Sequence, residues 1–146
     1  MANRKVSLLV LDDEPWNMSW LEDFAASEGV ELRMVSTYDE AVQEASKEAP
    51  DIAVVDIMIG ATSEEVVGVT LASVPAEWVG LRFVRYLRAT LARSKDKTAI
   101  IVYTVLDRDE LAKVVEDAFQ GVYCVKSNVE HFRGTLLAAV ARFKQK

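Results

Sequence analysis

The chain reads as an α/β domain in which a parallel β-sheet is covered by helices on both faces. Three observations predict it. Five short apolar runs recur along the 146 residues, each is followed by a segment of helical period, and two of them end abruptly in aspartate. Strands buried on both faces appear as continuous apolar runs, and strict alternation with helices is the pattern of parallel crossover connections.

The first strand is Val6 to Leu11, which delivers Asp12-Asp13-Glu14 at its carboxyl end. Pro15 suits the first turn of the following helix, where Trp16, Trp20, Leu21 and Phe24 make one apolar face and Gly29 is the stop. Glu31 to Val35 is a short second strand. Thr37 and Glu40 then have capping-box spacing for a helix running through Ala41 and Ala45 to the break at Pro50. Ile52 to Val55 is the third strand, and it too ends in an acid, Asp56. Gly60 to Val74 has no clean period and reads as a long loop, an insertion at about 60–75. From Ala76 a helix extends to about Arg93, with Trp78, Leu81, Val84, Leu87, Arg88 and Leu91 on neighbouring faces and Arg82 and Arg85 directed elsewhere. Gly80 is expected to weaken its first turns by about 1 kcal/mol relative to alanine. Ala99 to Tyr103 is the fourth strand, ending at Thr104, and Asp107 with Glu110 caps a helix carrying Leu111, Val114, Val115 and Ala118. Val122 to Val125 is the fifth, ending at Lys126; Ser127 and Glu130 cap a last helix whose buried stripe is Val129, Phe132, Leu136, Val140 and Phe143.

This length suits one domain over 1–146 and excludes a large multidomain enzyme. With 17 basic and 23 acidic residues the formal charge is −6, which argues against broad attraction to nucleic acid or an anionic bilayer. A single cysteine, Cys124, rules out an internal disulfide, and no multi-cysteine metal spacing exists. Met1 to Val10 carries no long apolar signal segment, and no later stretch approaches the roughly 20 apolar residues of a membrane span. A cytoplasmic setting is the expectation.

In open parallel sheets, ligands collect beyond the strand carboxyl ends, where the loops converge. Asp12, Asp13, Asp56, Thr104 and Lys126 all fall there. Three carboxylates in one restricted site repel one another, and a divalent cation resolves that conflict; an all-oxygen set favours a hard ion such as Mg²⁺, with backbone carbonyls after Asp56 completing the shell. Asp56, on the middle strand, is the best nucleophile, since a carboxylate can attack phosphorus to form an aspartyl phosphate. Lys126 would pair with one phosphoryl oxygen, and the Thr104 hydroxyl would donate to another.

The motifs Leu11-Asp12-Asp13-Glu14-Pro15, Val54-Val55-Asp56-Ile57-Met58, Tyr103-Thr104 and Tyr123-Cys124-Val125-Lys126 give the chain, over Lys5 to Phe143, a resemblance to the receiver domains of bacterial two-component response regulators. That resemblance implies a flavodoxin-like (βα)5 three-layer sandwich with five strands in the order 2-1-3-4-5. It implies Asp12 and Asp13 as the acidic metal pair, a further Mg²⁺ ligand from the Met58 backbone carbonyl, Asp56 as the phosphorylated residue, Thr104 and Tyr123 as the switch pair, and Lys126 as the essential lysine. It also implies a histidine kinase or phosphotransfer protein as donor. The output would be a changed face around the fourth helix, fifth strand and fifth helix, read by a downstream protein or by an output domain absent from these residues. A homodimer through the last helix pair is one arrangement that their solvent faces allow. Neither direct nucleic-acid binding nor membrane insertion is expected.

Three positions depart from the family pattern. Met58-Ile59-Gly60 replaces Met-Pro and a short loop, with the matching Gly80 reached only after the insertion. Ser127 follows Lys126 where receivers carry proline, which makes a cis bond there much less favourable. Val105 follows Thr104 where small residues are common, and its bulk would narrow access to the site. Alternative readings are a receiver-like interaction module that is weakly phosphorylated or not at all, and a metal-dependent phosphoester hydrolase, which lacks a clear general acid. Taken singly, Asp12-Asp13 could cap the first helix. Trp16, Trp20 and Trp78 fit packing roles, Cys124 a small buried strand residue, and His131 an exposed position in the last helix.

Overall fold

The computed structural model describes residues 5–14, 18–57, 79–91, 98–105 and 109–145. Pro15, Trp16, Met58, the expected insertion at about 60–75, Trp78, Asp107 and the side chain of Leu91 lie outside the described residues. Five strands alternate with five helices: β1 Val6–Leu11, α1 Trp20–Glu28, β2 Val30–Val35, α2 Tyr38–Lys47, β3 Ile52–Val55, α3 Val79–Leu91, β4 Ala99–Thr104, α4 Asp109–Phe119, β5 Val122–Val125 and α5 Val129–Lys144. All four pairings are parallel and the strand order is β2-β1-β3-β4-β5, the order expected.

The apolar runs are continuous because each strand feeds two cores. Leu9, Leu11, Ala53, Val55, Ile100 and Val102 point to the face covered by α2, α3 and α4. Their neighbours Leu8, Val10, Ile52, Val54, Ile101 and Tyr103 point to the face covered by α1 and α5. Side chains one residue apart lie on opposite faces, so burying both removes the alternation that a half-exposed strand would show.

Several helix details differ from the sequence reading. In α1 the fully buried residues are Leu21 and Ala25, with Met18 just before the helix, while Trp20 and Phe24 sit half-buried at its rim. α2 begins as expected: Thr37 Oγ1 accepts from the Glu40 amide at 3.2 Å, and Glu40 Oε1 lies 3.1 Å from the Thr37 hydroxyl. α5 is capped by Asn128, whose Oδ1 accepts from the His131 amide at 3.1 Å, and not by Ser127. The reason lies in the turn before it: the Asn128 amide is used by Val125 O at 2.8 Å, so the chain is still turning at Ser127 and the helix starts one residue later. Phe132, Leu136, Val140 and Phe143 form its buried stripe, with Val129 only half-buried. In α4, Leu111 and Val115 are buried whereas Ala118 faces solvent.

Gly80 has a purpose that its helix propensity conceals. A Cβ built there collides with the Asp56 carbonyl oxygen and Ile57 Cα, and the Gly80 amide donates to Ile57 O at 3.3 Å. Glycine lets the start of α3 rest directly on the backbone that carries Asp56. Among the described residues, no helix is long and apolar enough to cross a membrane.

Candidate functional site

The two acid-bearing strand ends are adjacent because β1 and β3 pair in the sheet, Leu11 opposite Val55. The ladder continues past both: the Asp56 amide donates to Leu11 O at 3.0 Å and the Asp12 amide to Val35 O at 3.1 Å. The acids are thereby held by sheet backbone, not by a loop. Asp12 is 1 % exposed and Asp56 7 %, whereas Asp13 faces solvent. One carboxylate oxygen from each of Asp12, Asp13 and Asp56 lies within 4.8 Å of the other two.

Lys126 arrives from the opposite side. Its amide donates to Thr104 O at 2.7 Å, which keeps β5 and β4 in register for one residue beyond the strand. Its side chain then crosses the end of β4 to place Nζ 2.8 Å from Asp12 Oδ2 and 3.0 Å from Asp56 Oδ2. Burial alone would pull the ammonium down; the hydrogen bond to Asp12 and the charge and hydrogen bond of Asp56 outweigh it and hold Lys126 above its ordinary value. The described backbone contains no cis peptide bond, so Lys126-Ser127 is trans and the lysine still reaches both acids.

Asp12 divides its two oxygens. Oδ2 meets Lys126, and Oδ1 accepts from the Glu14 amide at 2.8 Å, forming a local turn directly after β1. The acid pair does not cap α1, which begins at Trp20 after Ser19. Thr104 is fully buried at the end of β4, and its carbonyl is the one that takes the Lys126 amide. Tyr123 is 8 % exposed and packs inward with the core under α2, α3 and α4. Val105 is 63 % exposed, so most of its bulk stands in solvent. His131 is exposed, and Cys124 is buried in β5 with its thiol pushed up by that burial.

Asp12, Asp13, Asp56 and Lys126 are therefore brought into one cluster from three strands, with Thr104 on the strand between. The donor set is entirely oxygen, which fits a hard divalent cation better than a thiophilic one. Tyr103 belongs beside this cluster too, although its sequence context marks it only as a residue of the fourth strand next to Thr104. Lys126 Nζ stands over its ring, 5.9 Å from the ring centroid.

No protein-family model matches the chain, and no curated protein matches it. Solved structures do. The chain is similar to the receiver domain of the Francisella response regulator 1452, at 16% identity and TM-score 0.69, over 96% of this chain and 100% of that one. A two-component response regulator from Clostridium difficile aligns at 15% identity and TM-score 0.69, over 95% and 98% of the two chains. The BeF3-activated N-terminal receiver domain of RstA from Klebsiella pneumoniae aligns at 17% identity and TM-score 0.65, over 92% and 97%. These likenesses establish the CheY-like receiver-domain fold.

Proposed function

We propose that this chain, having the receiver-domain fold, is a phosphoacceptor in a two-component or phosphorelay pathway, taking a phosphoryl group on Asp56 and switching a protein-interaction surface. One observation carries the reading: Lys126 Nζ binds Asp12 and Asp56 together while Asp13 completes a carboxylate set within 4.8 Å. Two acids, a nucleophile and a lysine at the carboxyl ends of a parallel sheet suit capture of a charged, tetrahedral group.

In this reading an Asp56 oxygen attacks phosphorus on the phosphohistidine of a kinase or phosphotransfer protein. The new O–P bond forms as the P–N bond breaks, and the imidazole leaves with that electron pair. Asp12, Asp13, Asp56 and the Met58 backbone carbonyl would hold Mg²⁺, which when bound offsets the negative charge of the entering oxygens. Lys126 exchanges its bond to the Asp56 carboxylate for one to a phosphoryl oxygen. Thr104 donates its hydroxyl to another oxygen, and Tyr123 couples that shift to the face formed by α4, β5 and α5. A phosphoryl group biases this face only as far as it binds one packing better than the other. The changed face would be read by a downstream protein or by an output domain elsewhere in a longer chain.

Incubation with Mg²⁺ and acetyl phosphate, followed by intact-mass measurement, is expected to give one phosphoryl adduct that disappears in Asp56→Asn. Absence of an adduct with several donors, under conditions that modify a known receiver, would overturn the reading. A second reading draws support from the same ion pairs: Lys126 already gives Asp12 and Asp56 a counter-charge without any phosphoryl group. The domain would then be an unphosphorylated interaction module, and Asp56→Asn would bind its partner as well as the parent chain does.

A further inference from the structure

Lys126 leaves β5 one residue after Val125, which pairs with Thr104, and its side chain must span β4 to reach β3 and β1. A four-carbon stem has many rotamers and loses much of that freedom when held in one. Ser127 follows Lys126 in a trans turn. The two acids fix where the ammonium ends, and the groups beside the stem set the path by which it arrives.

Tyr103 is placed to do so. Its side chain is 5 % exposed on the α1 and α5 face of β4, and its ring stacks on Phe132 with centroids 3.9 Å apart and planes within 10°. Phe132 is itself fully buried and meets the edge of Trp20 at 5.9 Å and 74°, so the stack is packed on both sides of Phe132. The ring thus presents a fixed, electron-rich face to the ammonium 5.9 Å away, in a site where solvent competes little.

We infer that Tyr103 is a positioning residue for Lys126, its ring face steering the ammonium onto Asp12 and Asp56 and hence, on the function proposed above, onto the phosphoryl oxygen. The ring and not the hydroxyl performs this. Tyr103→Phe keeps the face and Tyr103→Leu removes it while leaving an apolar side chain in the core.

The test has two arms. Phosphorylation by acetyl phosphate in saturating Mg²⁺ is expected to lose about fivefold in maximal rate in Tyr103→Leu, with a smaller change in the donor concentration at half-maximal rate, and to stay within about twofold in Tyr103→Phe. In the second arm, the Lys126 ε-methylene resonances of the parent protein are expected to carry an upfield ring-current shift and contacts to the Tyr103 ring protons. The shift is lost in Tyr103→Leu and kept in Tyr103→Phe. Parent-level kinetics in Tyr103→Leu, an equal loss in Tyr103→Phe, or no ring-to-lysine contact in the parent would each overturn the inference. If the parent takes no phosphoryl group, the receiver reading fails by itself, and the resonance arm still decides what Tyr103 does.

Discussion

The two ends of the sheet each hold a half-buried cation, and the contrast between them separates structure from chemistry. At the amino ends of β4 and β5, Arg88 donates to Phe119 O and Thr98 O at 2.7 Å and to Gln120 O at 3.4 Å. All three partners are neutral carbonyls. They include the open end of α4, where Gln120 adopts the left-handed conformation at φ 52°. Burial is accordingly the cause that pulls Arg88 below its ordinary value. At the carboxyl ends, Lys126 meets two carboxylates and is raised despite burial. A guanidinium fork matched to fixed carbonyls ties elements together; a compact ammonium between two charged acids can trade one oxygen for another. Nearby groups follow the same division. Asp51, at the amino end, exchanges backbone-anchored bonds with Ser7 at 2.9 and 3.0 Å, whereas Asp12 and Asp56 end on the lysine.

The largest expected effect breaks the structural end. Arg88→Ala strands three carbonyls, and because Arg88 lines an open groove with Thr98 and Gln120, water replaces part of what is lost. A loss of about 3 kcal/mol in urea unfolding is expected, with the phosphoryl adduct still formed at full yield. An adduct that fails while the fold holds would erase the distinction between the two ends.

Next comes Gly80→Ala, which disturbs the seat of Asp56 without touching any charge. The added Cβ meets backbone on both Asp56 and Ile57, which cannot swing aside as a side chain could. About 2 kcal/mol of stability should be lost, together with slower formation of the proposed adduct, since the peptide that carries Asp56 has to shift. Unchanged thermal unfolding would show that α3 does not rest on this strand end.

The smallest effect is a pH step. The folded state holds the Lys126 proton more tightly than the unfolded chain, so this contribution is complete below the ordinary lysine value of 10.5 and fades as pH rises through the higher folded value. Unfolding measured without Mg²⁺ should therefore show an alkaline decline that starts above about that value and is weaker in Lys126→Met. An identical alkaline profile in that variant would remove Lys126 as its source.

How much of this was legible from residues alone varies with the kind of interaction. Val6–Leu11 and Ile52–Val55 announced themselves because strands buried on both faces must be apolar throughout, and Asp12 and Asp56 stood out as charge placed directly after such runs. Thr37 and Glu40 were legible as a cap because both partners lie within one turn. Asn128 was not, since the turn that joins the Asn128 amide to Val125 O carries the chain past Ser127 before α5 starts, and Ser127 offers the same capping chemistry one residue earlier. The spacing of Trp20 shows that it belongs to an apolar face but not that it stands at the rim of that face. Gly80 showed only its helix penalty, and Arg88 looked like one more residue on an amphipathic helix.

Local pattern thus determined the order of strands and helices along the chain and which residues would stand at strand ends, because burial and backbone hydrogen bonding act on neighbours and leave a period in the sequence. Tertiary structure alone decided that Lys126 spans β4 to bind both acids, that Tyr103 and Phe132 form a wall beside it, and that Gly80 admits α3 against Asp56. Those contacts join residues dozens of positions apart, and their energies depend on distances that no local period encodes.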